Sequence, residues 1–302
     1  MKYKNQLNVY QMKVFTTSKC SLRCNHCLNS SEDIPKVVAS VDFVKQQIDF
    51  IRACGVRNIE LGVLIGDTLE YPADRLAEVI EYLESLEDVD LISISSSFLF
   101  LKQEHIPILN STNKLKLQLS WYGKDDDEYQ AIGGFKKGYS RLVKNVELLR
   151  QVNTKVVITV ISMFKDKTND NKLISLLEEI KQQTNIIVWI DNDAPITDWT
   201  KMLNDKISFV QKDRRGACNY LFADTGIDEN GDVLSCAWFD YARLVKLGNI
   251  NINTPKEILE KHAEIVRQQE FGIFIGPCKN CTVYTCTGKK MNPDAGPIKH
   301  EE

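Results

Sequence analysis

The alternation of two hydrophobic patterns through the first two-thirds of the chain constrains the fold more than any other feature. Short runs rich in β-branched residues predict strands, and longer stretches with apolar residues at helical spacing predict amphipathic helices. Such an alternation is typical of a parallel sheet with right-handed crossovers, open or closed into a partial barrel. The predicted strands cover residues 13–17, 58–63, 91–96, 116–121, 155–162 and 186–191, and the predicted helices cover 41–55, 73–87, 139–151 and 171–183.

The alternation ends near residue 193, where the remaining chain takes a different pattern. Residues 193–215 predict a linker with irregular helix, and the following GIDENGDVLSCAWFD predicts a β-hairpin that turns at Asn230-Gly231. Five of the nine cysteines lie in this tail, which is therefore expected to be a small metal-supported module. We expect a core domain over residues 1–193 and a linker with a second domain over 194–302.

The composition argues against several classes of partner and location. A net charge of -3 does not favour a nucleic-acid surface built on bulk positive charge. The amino-terminal stretch lacks the apolar core of a signal peptide, and no stretch approaches the roughly 20 apolar residues of a membrane span. We therefore expect a cytoplasmic protein without membrane or nucleic-acid partners. In that reducing compartment, clustered cysteines are more often metal ligands or catalysts than disulfides.

Three cysteines, Cys20, Cys24 and Cys27, follow the first predicted strand with the spacing C-x3-C-x2-C. A loop at the carboxyl end of a parallel strand is where sheets of this kind build ligand sites. Three thiolates can hold three irons of a cubane, whereas electron-transfer clusters usually take four cysteines. The open fourth iron then accepts a small ligand. Structural zinc with His26 as a ligand is the alternative, but zinc ligands usually come as two separated pairs.

This cysteine spacing, on the loop after the first strand of a βα-repeating domain, resembles the radical S-adenosylmethionine (radical SAM) superfamily. The resemblance implies a partial (β/α)6 TIM-like barrel with a 4Fe–4S cluster on the three cysteines. It also implies that S-adenosylmethionine chelates the unique iron and is cleaved, on one-electron reduction, to methionine and a 5'-deoxyadenosyl radical that abstracts hydrogen from the substrate. His26 stands where the family usually has an aromatic residue.

The same resemblance implies further cofactor contacts at the ends of the next strands. Gly66 and Asp67 stand after the second strand, where family members commonly carry a Gly-Gly-Glu-Pro motif that meets the methionine amino group. Ser95, Ser97 and Ser120 end the third and fourth strands, where hydroxyl groups are able to bind ribose or carboxylate. The structural alternatives are an ordinary strand-to-helix turn and polar residues at strand ends.

The segment WYGKDDDEYQAIGG, residues 121–134, resembles a recurring family loop after the fourth strand. Its acidic run is predicted to start a helix, since carboxylates favour helix N-termini, and we assign it no catalytic role. Polar or aromatic residues at other strand ends are candidates for the mouth of the barrel: Glu60, Gln118, Trp121, Asp191 and Asp193.

The second cysteine set has the ligands to close a cluster. Cys218 and Cys236 flank the predicted hairpin, and Cys278 and Cys281 form C-x2-C. Two such pairs complete four-coordination. The set resembles the auxiliary-cluster tails called SPASM, and its cysteine count favours the shorter twitch form with one second 4Fe–4S cluster. A structural zinc ribbon is the alternative.

Two cysteines remain outside both sets. Cys54 falls near the end of an amphipathic helix and is interpreted as a buried small hydrophobe. Cys286 lies five residues past a predicted ligand, so it is a candidate substitute ligand, hydrogen-atom donor to a substrate radical, or plain thiol. A donor role implies epimerisation instead of oxidation.

The leading hypothesis is a radical SAM oxidoreductase that abstracts hydrogen from an unactivated carbon of a small-molecule, sugar-type or peptide substrate, assisted by the auxiliary cluster. The resemblance also implies an external electron donor such as flavodoxin or ferredoxin. Only about a dozen residues precede the first strand, so we expect no leader-peptide recognition domain within the chain. The alternatives are a radical SAM epimerase and, from another class, a non-catalytic zinc-stabilised binding protein.

Overall fold

The structure, a computed structural model, describes most of the chain. The described residues are 9–24, 27, 35–62, 66–162, 172–191, 216–218, 220–223, 225–237, 245–275 and 278. Within this part of the chain, no helix is both long and apolar enough to cross a lipid bilayer.

Six parallel strands form the central part of one sheet, and they lie side by side in chain order. Each crossover returns the chain to the same edge of the sheet, which gathers the carboxyl ends of all six strands there. The predicted α/β fold with a barrel-like parallel sheet is confirmed. The strands are β1 (Met12–Val14), β2 (Asn58–Leu61), β3 (Leu91–Ser96), β4 (Leu115–Trp121), β5 (Val156–Ser162) and β6 (Ile186–Asp191).

Of the helices described in this domain, four follow the predicted positions within a few residues, a fifth begins in the acidic run as expected, and the shortest was not predicted. They are α1 (Val41–Ala53), α2 (Ala73–Ser85), α3 (Ile106–Leu109), α4 (Asp126–Gly133), α5 (Gly138–Val146) and α6 (Lys172–Gln183), with 3-10 turns at Thr68–Glu70, Gln103–His105 and Glu147–Gln151. The helix predicted over 139–151 is therefore a helix followed by a tighter last turn, which is common at helix C-termini. At α1, Ser40 accepts a hydrogen bond from the Phe43 N–H (3.2 Å), as expected of an N-cap.

Side chains alternate between two faces of the sheet. Along β4 the residues alternate between buried and half-buried, and the buried set of apolar residues belongs to the hydrophobic core. The opposite face is polar: strand register places Lys13, Glu60, Ser93 and Lys116 in one row across β1 to β4. We call this side of the sheet the polar face.

The carboxyl-terminal elements extend the same sheet. They comprise α7 (Tyr220–Ala223), β7 (Thr225–Ile227), β8 (Asp232–Leu234), β9 (Lys246–Asn249) and α8 (Pro255–Glu270). Strand β7 pairs parallel with β1, and β7, β8 and β9 pair antiparallel with one another in turn. The predicted hairpin is confirmed, with Gly231 at φ 82° in its turn. The division at residues 193 and 194 stays a prediction.

Candidate functional site

The loop after β1 carries the first cysteine set and is anchored at several points. Before it, Thr17 forms an isolated antiparallel β-bridge with Val38, and the Ser18 hydroxyl donates to the carbonyl of Pro35 (2.7 Å). Within it, the Arg23 guanidinium donates to the Cys20 carbonyl (2.9 Å). The N–H of Cys27 donates to the Cys24 carbonyl (3.0 Å). These bonds fix the backbone from which the three thiols project.

Helix α4 and the turn after it support this loop from the side. The Arg23 N–H donates to the Gly133 carbonyl (2.9 Å), and Gly134 ends the helix in the left-handed region with φ 66°. A Cβ on Gly134 would lie 2.9 Å from the Cβ of Arg23. The paired glycines therefore let the cysteine loop pack directly against the end of α4.

Burial changes the acidity of the cysteine thiols. It raises the pKa of Cys20 well above its usual range, and the nearby Asp67 charge acts in the same direction. Burial also raises the pKa of Cys24 to about 12, with the charge of Cys27 as a second cause. Cys24 therefore interacts electrostatically with both other thiols of the set. Thiolates in such a dry site need positive charge beside them.

This donor set fits an iron–sulfur cluster. Three soft sulfur ligands lie together on one anchored loop at the carboxyl edge of the sheet, and bound iron supplies the positive charge that their ionised form needs. The three thiols are not gathered around a single ion: among the described residues, no three His, Cys, Asp or Glu side chains form a group that could hold one metal ion, whereas each thiolate of a cubane binds a different iron.

The loop after β2 is locked against the cysteine loop. Gly66 has φ 98°, and a Cβ there would lie 2.0 Å from the Thr17 carbonyl oxygen, so only glycine allows this approach. The Asp67 N–H donates to the Lys19 carbonyl (2.8 Å). From the other side, the carboxylate of Glu70 accepts from the Ser21 hydroxyl (2.8 Å). The predicted Gly66–Asp67 position thus lies beside the cysteines.

The Asp67 carboxylate is occupied by bonds within the protein. One oxygen accepts from the Ser96 hydroxyl (2.6 Å) and the Leu69 N–H (3.1 Å). The other accepts from both the N–H (3.0 Å) and the hydroxyl (2.6 Å) of Ser97. This carboxylate therefore ties the β2 loop to the end of β3. The cofactor contacts expected of Gly66, Asp67 and Ser97 stay predictions.

The other predicted serines also have partners. Ser95 donates to Glu60 (2.6 Å), and Ser120 hydrogen-bonds Tyr122. Both lie on the polar face, and their proposed binding to S-adenosylmethionine stays a prediction.

Two tyrosines that we did not single out from the sequence lie at the cysteine loop. The hydroxyl of Tyr122, one residue beyond β4, hydrogen-bonds Cys24, and its ring contacts that of Tyr129 edge to face, with centroids 5.5 Å apart. Tyr129 lies on α4 and is fully buried; burial raises its pKa, and the charges of Cys24, Asp67 and Cys20 act in the same direction. The sequence feature that could have identified them is the pair of tyrosines, seven residues apart, in the segment before Gly133-Gly134.

The polar face contains a buried ion pair near the middle of the sheet. Lys13 on β1 and Glu60 on β2 approach to 2.9 Å, and both side chains are almost wholly buried. Gln11 also donates to Glu60, by a short hydrogen bond. The next row across β3 to β6 holds Ser95, Gln118, Thr159 and Trp189, the last being 59% exposed.

The remaining candidates for the barrel mouth divide into different environments. Trp121 is buried, and its indole N–H donates to the Gly123 carbonyl (2.6 Å), so it serves packing. Asp191 ends β6 at the carboxyl edge. Asp193 and His26 lie outside the described residues.

The second cysteine set is described in part. Cys218 and Cys236 are buried, and the Cys218 N–H donates to the side chain of Gln269 (2.8 Å). Strand β8 runs antiparallel to β7, so the end of β8 lies beside the start of β7. Because Cys218 precedes β7 and Cys236 follows β8, the two cysteines lie toward the same end of this strand pair. Cys278 is half-buried. Cys281 and Cys286 lie outside the described residues, and the roles expected of both cysteines stay predictions. Cys54 is fully buried in the core, as predicted.

Two family models match the chain. The model described as "Radical SAM superfamily" matches residues 14–180, which is more than half of the chain. The model described as "Iron-sulfur cluster-binding domain", named SPASM, matches residues 218–282. The second match includes Cys218, Cys236, Cys278 and Cys281 but ends before Cys286. No curated protein matches the chain.

Solved structures share the fold at low sequence identity. SuiB of Streptococcus suis bound to its precursor peptide SuiA has a TM-score of 0.60 and 15% identity, covering 85% of this chain and 66% of SuiB. SuiB bound to S-adenosylmethionine gives a TM-score of 0.58 with 15% identity, covering 85% and 65%. The protein anSMEcpe with bound AdoMet gives a TM-score of 0.54 with 14% identity, covering 86% and 84%. The chain thus spans slightly less than two thirds of SuiB.

Proposed function

The chain belongs to the radical SAM superfamily and carries a SPASM iron–sulfur domain, and from this we propose the reaction that it catalyses. When bound, a 4Fe–4S cluster and S-adenosylmethionine supply a 5'-deoxyadenosyl radical on one-electron reduction. We propose that this chain uses the radical to abstract hydrogen from an unactivated carbon of a peptide or small polar substrate. The auxiliary cluster assists the oxidation.

A single observation carries this proposal: three thiols, two of them largely desolvated, project from one anchored loop at the carboxyl edge of the parallel sheet. The electrostatic influence of Cys24 on Cys20, and of Cys27 on Cys24, supports their assignment to one cluster. The family spacing supplies no fourth cysteine there, which leaves one iron for the amine and carboxylate of S-adenosylmethionine.

The protein's own residues orient the reactants and exclude water. The bond from the Asp67 N–H to the Lys19 carbonyl holds the β2 loop against the cysteine loop, and Gly66 permits the close approach. The buried tyrosines close the side toward α4. Precise orientation of this kind is what the protein contributes to cofactor chemistry.

We place the substrate against the polar face of β3 to β6. Ser95, Gln118, Thr159 and Trp189 share one register row there and offer hydrogen-bonding groups beside an exposed indole. A polar substrate with an apolar portion suits this surface, and a peptide meets that description. SuiB, which shares the fold, has been solved with a precursor peptide.

The decisive experiment is anaerobic reconstitution followed by reaction with S-adenosylmethionine and a one-electron reductant. The wild type is expected to contain about eight irons per chain, if both cubanes form, and to release 5'-deoxyadenosine. Cys24→Ala should lose about half of the iron and all 5'-deoxyadenosine formation. Cys54→Ala is the matched control, because Cys54 is equally buried but packs in the core, and it should retain both.

Zinc without sulfide in the wild type would overturn the proposal in favour of a zinc-stabilised binding protein. About four irons with normal 5'-deoxyadenosine release would refute the auxiliary cluster alone. Reduction by flavodoxin or ferredoxin in place of the chemical reductant tests the proposed electron donor. A cytoplasmic location is the one we propose for such reduced thiols.

A further inference from the structure

Tyr129 is held in a place built for its ring. A Cβ on Gly138 would lie only 2.2 Å from the Cδ1 atom of Tyr129, and a Cβ on Gly133 would lie 3.5 Å from the same atom. The backbone N–H of Tyr129 donates to Asp125 as part of α4, and a Cβ on Gly123 would approach that nitrogen to 2.6 Å. The two glycines Gly133 and Gly138 therefore make room for the ring, and Gly123 makes room for the backbone of the same residue.

The Tyr129 hydroxyl is the unusual feature of this arrangement. The oxygen is fully buried and finds no hydrogen-bond partner among the described residues. Leaving a buried hydroxyl unpaired costs free energy, and native proteins rarely do so without a ligand or water at that position. Tyr129 lies beside the cysteine loop: a Cβ on Gly133 would lie 3.5 Å from the Tyr129 ring and 3.6 Å from Cδ2 of Leu22, which stands between Cys20 and Cys24. Burial raises the pKa of Tyr129, and the charges of Cys24, Asp67 and Cys20 act in the same direction.

Tyr122 approaches the same loop from β4. Its hydroxyl lies within hydrogen-bonding reach of both Ser120 and Cys24, which places it between the end of β4 and the Cys24 sulfur. The edge-to-face contact between the two rings holds the two hydroxyl-bearing side chains next to each other.

We propose that Tyr122 and Tyr129 are hydrogen-bond donors to the 4Fe–4S cluster and raise its reduction potential. Tyr122 donates to the sulfur of Cys24, and Tyr129 donates to a cluster sulfide. Tyr129 is thereby paired only when the cluster is bound. The inference rests on the cluster of the proposed function.

The physical reason is that reduction adds negative charge to the cluster. A hydrogen bond strengthens as its acceptor becomes more negative, so donors to the sulfurs stabilise the reduced state more than the oxidised state. In a site this dry the effect is screened little by solvent. The two tyrosines therefore ease the one-electron reduction on which cleavage of S-adenosylmethionine depends.

The test is a redox titration of reconstituted Tyr122→Phe and Tyr129→Phe, followed by electron paramagnetic resonance. It is run without S-adenosylmethionine, in a Cys236→Ala background that lacks the auxiliary cluster. Each variant should show a more negative midpoint potential, with the ratio of reduced to oxidised cluster at a fixed potential lowered by roughly tenfold. The double variant should shift further than either single variant.

Tyr71→Phe is the matched control, because the buried Tyr71 hydroxyl donates to the Ala39 carbonyl (3.1 Å) instead. Its potential should equal that of the wild type. Phenylalanine keeps the ring of Tyr129, so the unfolding free energy of the metal-free protein should not fall, whereas loss of a structural hydrogen bond would lower it.

The outcomes separate this inference from the proposed function. Unchanged potentials in both variants, with iron and sulfide at wild-type levels, overturn the inference and leave the function standing. A shift that arises only after S-adenosylmethionine is added also overturns it, since the hydroxyls would then bind that ligand. Absence of iron and sulfide from the wild type as well refutes the function itself.

Discussion

Replacement of Asp67 with asparagine should destabilise the protein strongly, although the two side chains have nearly the same shape. The carboxylate is buried and accepts four hydrogen bonds, from the Leu69 N–H, the Ser96 hydroxyl, and the N–H and hydroxyl of Ser97. Asparagine keeps one oxygen for two of these donors but turns an NH2 group toward the others.

The size of the loss in unfolding free energy depends on which of the four hydrogen-bond donors can reorient. A serine hydroxyl rotates and becomes an acceptor for the amide, but the backbone N–H of Ser97 cannot. One unpaired buried N–H costs about 1–3 kcal/mol, and the bonds that remain lose a charged acceptor, about 1 kcal/mol more. We therefore expect Asp67→Asn to lower the free energy of unfolding by about 3 kcal/mol, roughly a hundredfold in the equilibrium constant.

The matched control is Asp126→Asn. Asp126 also accepts from a serine N–H (2.8 Å) and hydroxyl (2.6 Å), those of Ser140, but this pair is exposed to solvent. Water replaces the lost bonds there, so the expected loss is below about 1 kcal/mol.

The assay is urea-induced unfolding of the wild type and both variants without metal, followed by far-ultraviolet circular dichroism. Asp67→Asn should also weaken binding of S-adenosylmethionine to the reconstituted protein, because the β2 loop loses its tie to β3. Equal losses in Asp67→Asn and Asp126→Asn, or a loss below about 1 kcal/mol in both, would refute the reasoning.

Three further substitutions test other contacts. Gly138→Ala should cost about 1–3 kcal/mol, because the new Cβ would lie 2.2 Å from Cδ1 of Tyr129. Lys13→Met should cost about 3–5 kcal/mol, because it leaves the buried Glu60 carboxylate without its cation. Burial lowers the pKa of His262 below 6.5, so the neutral, buried imidazole makes its full contribution to stability above that pH, and the contribution is lost as the pH falls. His262→Gln should flatten this pH dependence by up to about 1.4 kcal/mol per pH unit. Urea unfolding measures each effect, the last one at about pH 7.5 and 5.5.

Each of these predictions has its own control. Gly133→Ala, with a nearest contact of 3.5 Å to the same ring, should leave stability unchanged or raised. Adding Glu60→Leu to Lys13→Met should recover stability, and failure to recover would count against an uncompensated charge. An unaltered pH dependence in His262→Gln would show that other groups, such as the buried His105, control it.

Much of the fold could be predicted because its signals are local. The strands over 91–96 and 186–191 have the predicted bounds, the hairpin turns at Gly231 as predicted, and Ser40 caps α1 next to its predicted start. In each case, the signal lies within a few residues of the element that it specifies. Helix α4 shows the limit: its acidic start was recognised, but nothing local indicated that its tyrosine faces the cysteine loop.

The sequence by itself determined the order of strands and helices, the position of the cysteine loop after β1, and the ligand chemistry of three closely spaced thiols. Only the tertiary structure decided what surrounds that loop: Tyr122 and Tyr129 at its side, the Asp67 carboxylate across from β3, and the pairing of β7 with β1. The physical reason is the separation along the chain over which each kind of signal acts. Periodicity and spacing act along the chain, whereas these contacts join residues about 30 to 200 positions apart or on separate elements, and strand register and crossover geometry bring them together.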